Sequence, residues 1–175
     1  MWRRFADSTR GVAAVEFAMV LPVLAVIFLA SIDGGRAIAI YMKVRAATYA
    51  VDAITNQYAT VHDTDSQAIL CATSTVLAPY STSPLGITIS QITIDSKGNA
   101  TISWSDTQGG TARAKGSSMT VPTNLKVPNS YLIFGEVSYS YQPLFGYFGN
   151  NTVISLSDNL YATPRISALI ARVSP

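Results

Sequence analysis

A single cysteine, Cys71, in 175 residues leaves no partner for an internal disulfide, so a small disulfide-stapled scaffold is excluded. A single histidine, His62, removes His-rich and Cys/His zinc spacings, and no Gly-Lys-Ser/Thr loop is present to cradle a phosphate. Charge is scarce as well: 13% of residues, net +2. Arg3, Arg4 and Arg10 against Asp7 account for that excess, so nothing electrostatic points to nucleic acid. His62, Asp63 and Asp65 crowd one polar break, yet two carboxylates are too few oxygen ligands for a calcium loop, and the cluster reads as a helix cap. Cys71 and His62 have no reason to meet as nucleophile and base. An enzyme is not expected, nor a cofactor, nor a metal. Cys71 reads as a small buried residue beside Ile69 and Leu70, the alternative being an intermolecular disulfide in an oxidising compartment.

Charge is scarcest in residues 11–32, where Glu16 is the only ionisable side chain. About 20 apolar residues cross a bilayer as a helix, so this stretch can span one. The arginines ahead of it keep the N-terminus in the cytoplasm and send the remainder across, although Arg36, Lys43 and Arg45 weaken the bias. Pro22 lies mid-span and predicts a kink. Glu16 is expensive in lipid, on the order of 2.5–3.5 kcal/mol on insertion scales, which makes it a functional residue by default. Near the start of the helix it gains from the positive end of the dipole, and the plainer alternative is snorkelling to the headgroups.

A cleaved signal peptide ending at Ala37-Ile38-Ala39 competes with this reading, and Arg3-Arg4 raises twin-arginine export. A Glu inside the apolar core and the absence of a polar break after Ile32 weigh against the first. Phe5-Ala6-Asp7 fits the second poorly.

Past the apolar run, Ile38, Tyr41, Val44, Ala47, Val51, Ile54 and Tyr58 recur at helical spacing, which predicts one helix from about Gly11 to about Thr60 with Gly34-Gly35 as a weak point. Asp65 is placed to cap a second helix running to about Leu77. Strand signals follow at residues 87–94, where the apolar parity flips and predicts a bulge near Gln91 or two short strands. Ser96-Lys97-Gly98-Asn99 reads as a hairpin turn, with Ala100, Ile102 and Trp104 expected on one face of the return strand. Residues 107–129 form a long polar loop of the kind that is functional or mobile. Tyr131, Ile133, Val137, Tyr139 and Tyr141 share a face before Pro143, and a last strand covers residues 153–161. The fold class is α+β, with a long and a short helix against an antiparallel meander of about four strands.

Gly11-Val12-Ala13-Ala14-Val15-Glu16-Phe17 resembles the start of the type IV pilin superfamily. With Arg10 before it and Ala18 and Leu21-Pro22 after it, the stretch is similar to the TadE-like pseudopilins of the tight-adherence (Flp) pilus system. Val137 to Phe145 and Pro164-Arg165 are similar to that family's closing strands. The resemblance implies a leader, residues 1–11, cut after Gly11 by a prepilin peptidase so that Val12 becomes the new N-terminus. Residues 12–35 are then the membrane helix, 36–60 its exported extension and 61–175 the exported α+β domain. It also implies that Glu16 and Phe17 serve assembly, with Glu16 pairing a neighbouring subunit's freed amino group to set register. Implied partners are other pilins and minor pseudopilins and the inner-membrane assembly platform. The implied location is the bacterial inner membrane, single-pass with the C-terminal domain periplasmic, from which the chain enters a surface-attachment pilus. Ser31-Ile32-Asp33-Gly34-Gly35-Arg36 and Ala50-Val51-Asp52-Ala53 are similar to the TadG-like relatives, which keeps an uncleaved periplasmic scaffold or binding protein as the rival. Tyr131, Tyr139, Tyr141, Tyr147 and Phe148 form an aromatic zone whose roles are core packing or, with the long loop, a contact surface.

Overall fold

The computed structural model of the chain describes residues 9–145 and 153–173. Residues 1–8, and the expected contact residues Tyr147 and Phe148, lie outside them. The first element is α1 (Thr9–Thr55), 47 residues and about 70 Å long at 1.5 Å per residue. It runs unbroken through Pro22, Gly34 and Gly35. The glycine pair is therefore continuous helix, and apart from the helix's own adjacent backbone no atom lies within 4 Å of where either would carry a Cβ. α1 stops short of Thr60 because the chain tightens into turns, Tyr58 N–H reaching the Thr55 carbonyl at 3.1 Å. Thr60–Val61 then becomes strand β1.

After β1 come α2 (Asp63–Thr75), β2 (Leu85–Ile94), β3 (Ala100–Gln108), a 3₁₀ turn at Thr123–Leu125, β4 (Ser130–Tyr141), β5 (Ile154–Ala162) and β6 (Ala171–Arg172). α2 begins earlier than expected because His62 is its N-cap and Asp65 works from the third position, accepting the His62 N–H at 2.9 Å. Such a reciprocal arrangement satisfies a donor that the helix itself leaves open.

The main sheet has the order β3-β2-β4-β5, with every neighbouring pair antiparallel. Antiparallel pairing was expected, but the meander was not what forms: β4 lies beside β2, leaving β3 at an edge. Residues 109–129 explain the difference. They fold back along β3, where Ile102 N–H meets the Ser117 carbonyl at 2.9 Å and Met119 N–H meets that of Ala100 at 3.0 Å. The edge is thereby covered, which protects it from pairing with another chain. The segment then crosses the sheet, burying Val121, and is a packed cover rather than a free loop.

Two cores result, one on each face. Ile40, Val44, Ala47 and Val51 of α1 and Ile69 and Leu70 of α2 pack on Ile87, Ile89, Ile133 and Val137. On the opposite face Val121 and the side chains around it cover Ile92, Ile94, Ala100, Ile102, Leu132 and Phe134. The parity flip in β2 therefore marks a change of core within one continuous strand. A register shift does occur between Gln91 and Ile92, and Ser103 is the residue skipped, since Gln91 faces Trp104 while Ile92 faces Ile102. That extra residue turns Trp104 to the helix side, away from Ala100 and Ile102, and so corrects the single face expected for all three. There the Trp104 indole N–H donates to the Ile170 carbonyl at 3.0 Å, and Ile170 N–H donates to Gln91 Oε1 at 2.8 Å. β6 beside it pairs in parallel with β1.

The expected helical stripe is rotated too. Ile38 and Tyr41 face outward, and Asp33, Thr48, Asp52 and Thr55 take inward places. Thr48 and Thr55 tolerate burial because each hydroxyl donates to the carbonyl four residues back, at 3.1 and 2.7 Å. The helix packs tightly against the sheet at Gly135, where an added Cβ would stand 2.6 Å from Asp52 Oδ1 and 2.9 Å from Val51 Cγ1. Gly135→Ala is expected to force α1 off β4 and lower stability by about 1–3 kcal/mol, the usual cost of overpacking. Chemical denaturation monitored by tryptophan fluorescence measures it, and an unchanged midpoint would contradict the close approach.

Candidate assembly and anchoring segment

Every residue from 11 to 28 is exposed. Val12, Phe17 and Phe28 are each at least 60% exposed, so this half of α1 stands clear of the domain. No residue of its most apolar stretch is buried by the chain itself. At 1.5 Å per residue, residues 11–32 reach about 33 Å, close to the roughly 30 Å hydrocarbon core of a bilayer. An apolar cylinder of that length needs lipid or other helices around it.

Gly11 and Val12, expected to flank a cut, lie within the first turns of α1, and Glu16 follows about 6 Å farther along the axis from Val12. Among the described residues Glu16 has no hydrogen-bond or ion-pair partner. Phe17 adjoins it, 61% exposed, and Pro22 sits within continuous helix. The Glu16 carboxylate is therefore presented to whatever surrounds the helix.

Where the apolar run ends, Asp33 makes a junction that sequence reading missed. It is 6% exposed. Its Oδ1 accepts the Leu144 N–H and its Oδ2 the Phe145 N–H, both at 3.1 Å, and the Tyr141 hydroxyl donates to the Asp33 carbonyl at 3.2 Å. The bend after Pro143 is thus fastened to α1 one residue beyond Ile32. An acid at the end of an apolar run is the only signal for this in the sequence. Asp33→Ala is expected to release the bend, lowering stability by about 2–3 kcal/mol through the two amides left without their charged acceptor. Amide hydrogen exchange should accelerate at Leu144 and Phe145, in the bend, before it does in β4, and unchanged protection at these two amides would refute the fastening.

A second carboxylate is buried higher on the same helix. Asp52 is 2% exposed and Asn56 3%. Among the described residues neither Asp52 oxygen nor the Asn56 amide oxygen has a hydrogen-bond partner. With no compensating charge, burial pushes the Asp52 carboxyl up to about 7.

The expected polar cluster is taken up by structure. Asp65 caps α2, while Asp63 pairs with Arg172, which also binds Asp106 at 2.9 Å. Among the described residues no group of three His, Cys, Asp or Glu side chains gathers to hold a metal. Cys71, expected to be buried, is exposed on α2. Tyr139 and Tyr141 are buried and Tyr131 half-buried, so the described part of the aromatic zone packs into the domain.

The family model for TadE-like protein matches residues 11–51. The match takes in the apolar run, Glu16-Phe17, and most of the part of α1 that packs on the sheet. No curated protein and no solved structure matches the chain. The matched segment agrees with a component of the tight-adherence pilus system, and one apolar helix long enough to cross a bilayer agrees with membrane anchoring.

Proposed function

We propose that this protein is a minor pilin, or pseudopilin, of a tight-adherence (Flp, type IVc) pilus. Residues 12–35 anchor it in the bacterial inner membrane, with the N-terminus cytoplasmic and the domain of residues 61–175 periplasmic. A prepilin peptidase removes residues 1–11 by cutting between Gly11 and Val12. The subunit is then drawn by the assembly platform into contact with other pilins and contributes to initiating or building the adhesive fibre. Its role is structural, with no catalytic step.

The observation that carries this reading is the unpartnered Glu16 on a bare apolar helix within the segment matched by the TadE-like family. A helix meant only as an anchor gains nothing from a carboxylate at that depth. Beside other such helices the carboxylate finds a cation in the α-amino group that cleavage creates at Val12 of a neighbour, and the pair sets axial register.

Co-expression of the full chain with and without the cognate prepilin peptidase, followed by intact mass and N-terminal sequencing, tests the proposal. The expected result is a peptidase-dependent start at Val12. An intact chain in both cases would make the protein an uncleaved periplasmic scaffold, and a start after Ala39 would make it a secreted domain.

A further inference from the structure

The base of the domain, where α1 leaves it, carries a crevice of about 400 Å³ that the proposed assembly role does not use. Arg36, Tyr80, Ser81, Tyr139, Ser140 and Gln142 are among its lining residues. Arg36 has no carboxylate partner among the described residues. The nearest acid along the helix, Asp33, already has both oxygens engaged by backbone N–H groups. Burial pushes the Tyr139 hydroxyl up while the charge of Arg36 pulls it back, so the guanidinium acts on this crevice. Beside it, on the bend that Asp33 fastens, Leu144 is 58% and Phe145 42% exposed.

The level of these groups follows from the helix. If residues 11–32 fill the hydrocarbon core, Arg36 lies about 6 Å beyond its edge, in the headgroup layer. Tyrosines and arginines favour that layer, each having an apolar body and a polar end. The Leu144-Phe145 bend, joined to α1 next to Ile32, lies at the edge of the core itself. Exposed apolar side chains at that level lose contact with water by entering lipid.

We propose that the base of the domain is seated on the bilayer, with Leu144 and Phe145 entering lipid and the crevice at Arg36 holding the phosphate of an anionic phospholipid headgroup. The guanidinium supplies the charge and a planar set of N–H donors, and the serine and tyrosine hydroxyls lining the crevice supply further donors. The seat and Asp33 together hold the domain at one tilt relative to α1. The inference rests on the membrane-anchoring part of the proposed function and is independent of cleavage and polymerisation.

The test uses the full chain with Cys71→Ser, reconstituted in bilayers of phosphatidylcholine with or without phosphatidylglycerol. Leu144→Cys and Val127→Cys variants carry a fluorophore, and lipids brominated near the headgroup quench it. Val127 is 59% exposed near the opposite end of β4, about 35 Å away along the strand. Strong quenching at position 144 and none at 127 is expected. Absence of quenching at 144 in protein that sediments with the bilayers would overturn the seat while leaving the anchor, whereas protein that does not sediment would remove the anchor as well. Native mass spectrometry should find phosphatidylglycerol retained over phosphatidylcholine, with Arg36→Gln lowering retention about tenfold. Unchanged retention in Arg36→Gln would overturn the headgroup site. Displacement of the lipid by excess inorganic phosphate would identify a soluble anion as the ligand and overturn the lipid assignment.

Discussion

Glu16→Ala is expected to remove this chain from assembled fibres while leaving it in the membrane. The carboxylate is the only charge in residues 11–32, and it has no partner among the described residues. In a lone inserted helix its removal is neutral or favourable, because a charge in lipid costs on the order of 2.5–3.5 kcal/mol and less near the interface. In a bundle of such helices the effect reverses. Deleting one partner of a buried pair leaves the neighbour's ammonium uncompensated, at roughly 3–5 kcal/mol per contact, about a hundredfold or more in association. Glu16→Gln keeps the shape and loses the charge, so it should fail like alanine, whereas Glu16→Asp should retain part of the function. Immunoblots of sheared surface fibres against membrane fractions provide the measurement. Equal incorporation of wild type and Glu16→Ala would end the register role of Glu16.

The second large effect is on stability, through Asp52. Burial pushes its carboxyl up to about 7 in the folded protein from the ordinary 3.8. The folded state therefore binds a proton more tightly than the unfolded state does. Below the unfolded value both states are protonated and no penalty exists. As pH rises between these two values the unfolded state releases its proton first, and stability falls until the folded carboxyl also ionises. The whole fall amounts to roughly 4 kcal/mol at most. Asp52→Asn removes the titration, so the variant should be nearly flat over that window and more stable than wild type at pH 8. The gain should be about 2 kcal/mol, since an amide buried without a partner has its own cost. Thermal melts of the full chain in micelles at pH 4 to 8, read by Trp104 fluorescence in a Trp2→Phe background, would show it. A wild-type midpoint that rises with pH across the window would contradict the burial of an unpaired carboxylate.

Several elements were legible because they depend on neighbours in sequence. The apolar run with its single Glu16, the continuation of one helix past it, the turn at Gly98 and the α+β class all follow from composition and period. Gly98 has φ +82°, and the Asp95 carboxylate accepts N–H groups from Lys97 and Asn99 at 2.8 Å, so the turn is settled within five residues. The candidate site was legible to the same extent. Gly11, Val12, Glu16, Phe17 and Pro22 stand in a segment whose surroundings are all helix, so their spacing along the axis needs no tertiary information.

Contacts between distant residues decided the remainder. An apolar residue in a strand signals that a core lies on its side, but not which of two cores, so the flip in β2 and the turning of Trp104 by Ser103 could be placed only with both faces of the sheet in view. The order β3-β2-β4-β5 depends on residues 109–129 finding the β3 edge, an event that leaves no local pattern. Asp33 and Asp52 look alike in sequence, as single acids on one helix, yet Asp33 receives two backbone amides and Asp52 none. Periodicity and charge count are properties of a short stretch of chain, and by themselves they determined the helix, its membrane-length apolar run and the lone carboxylate. Face, strand order and the fate of each buried acid are properties of pairs far apart in sequence, and only the folded chain brings those pairs together.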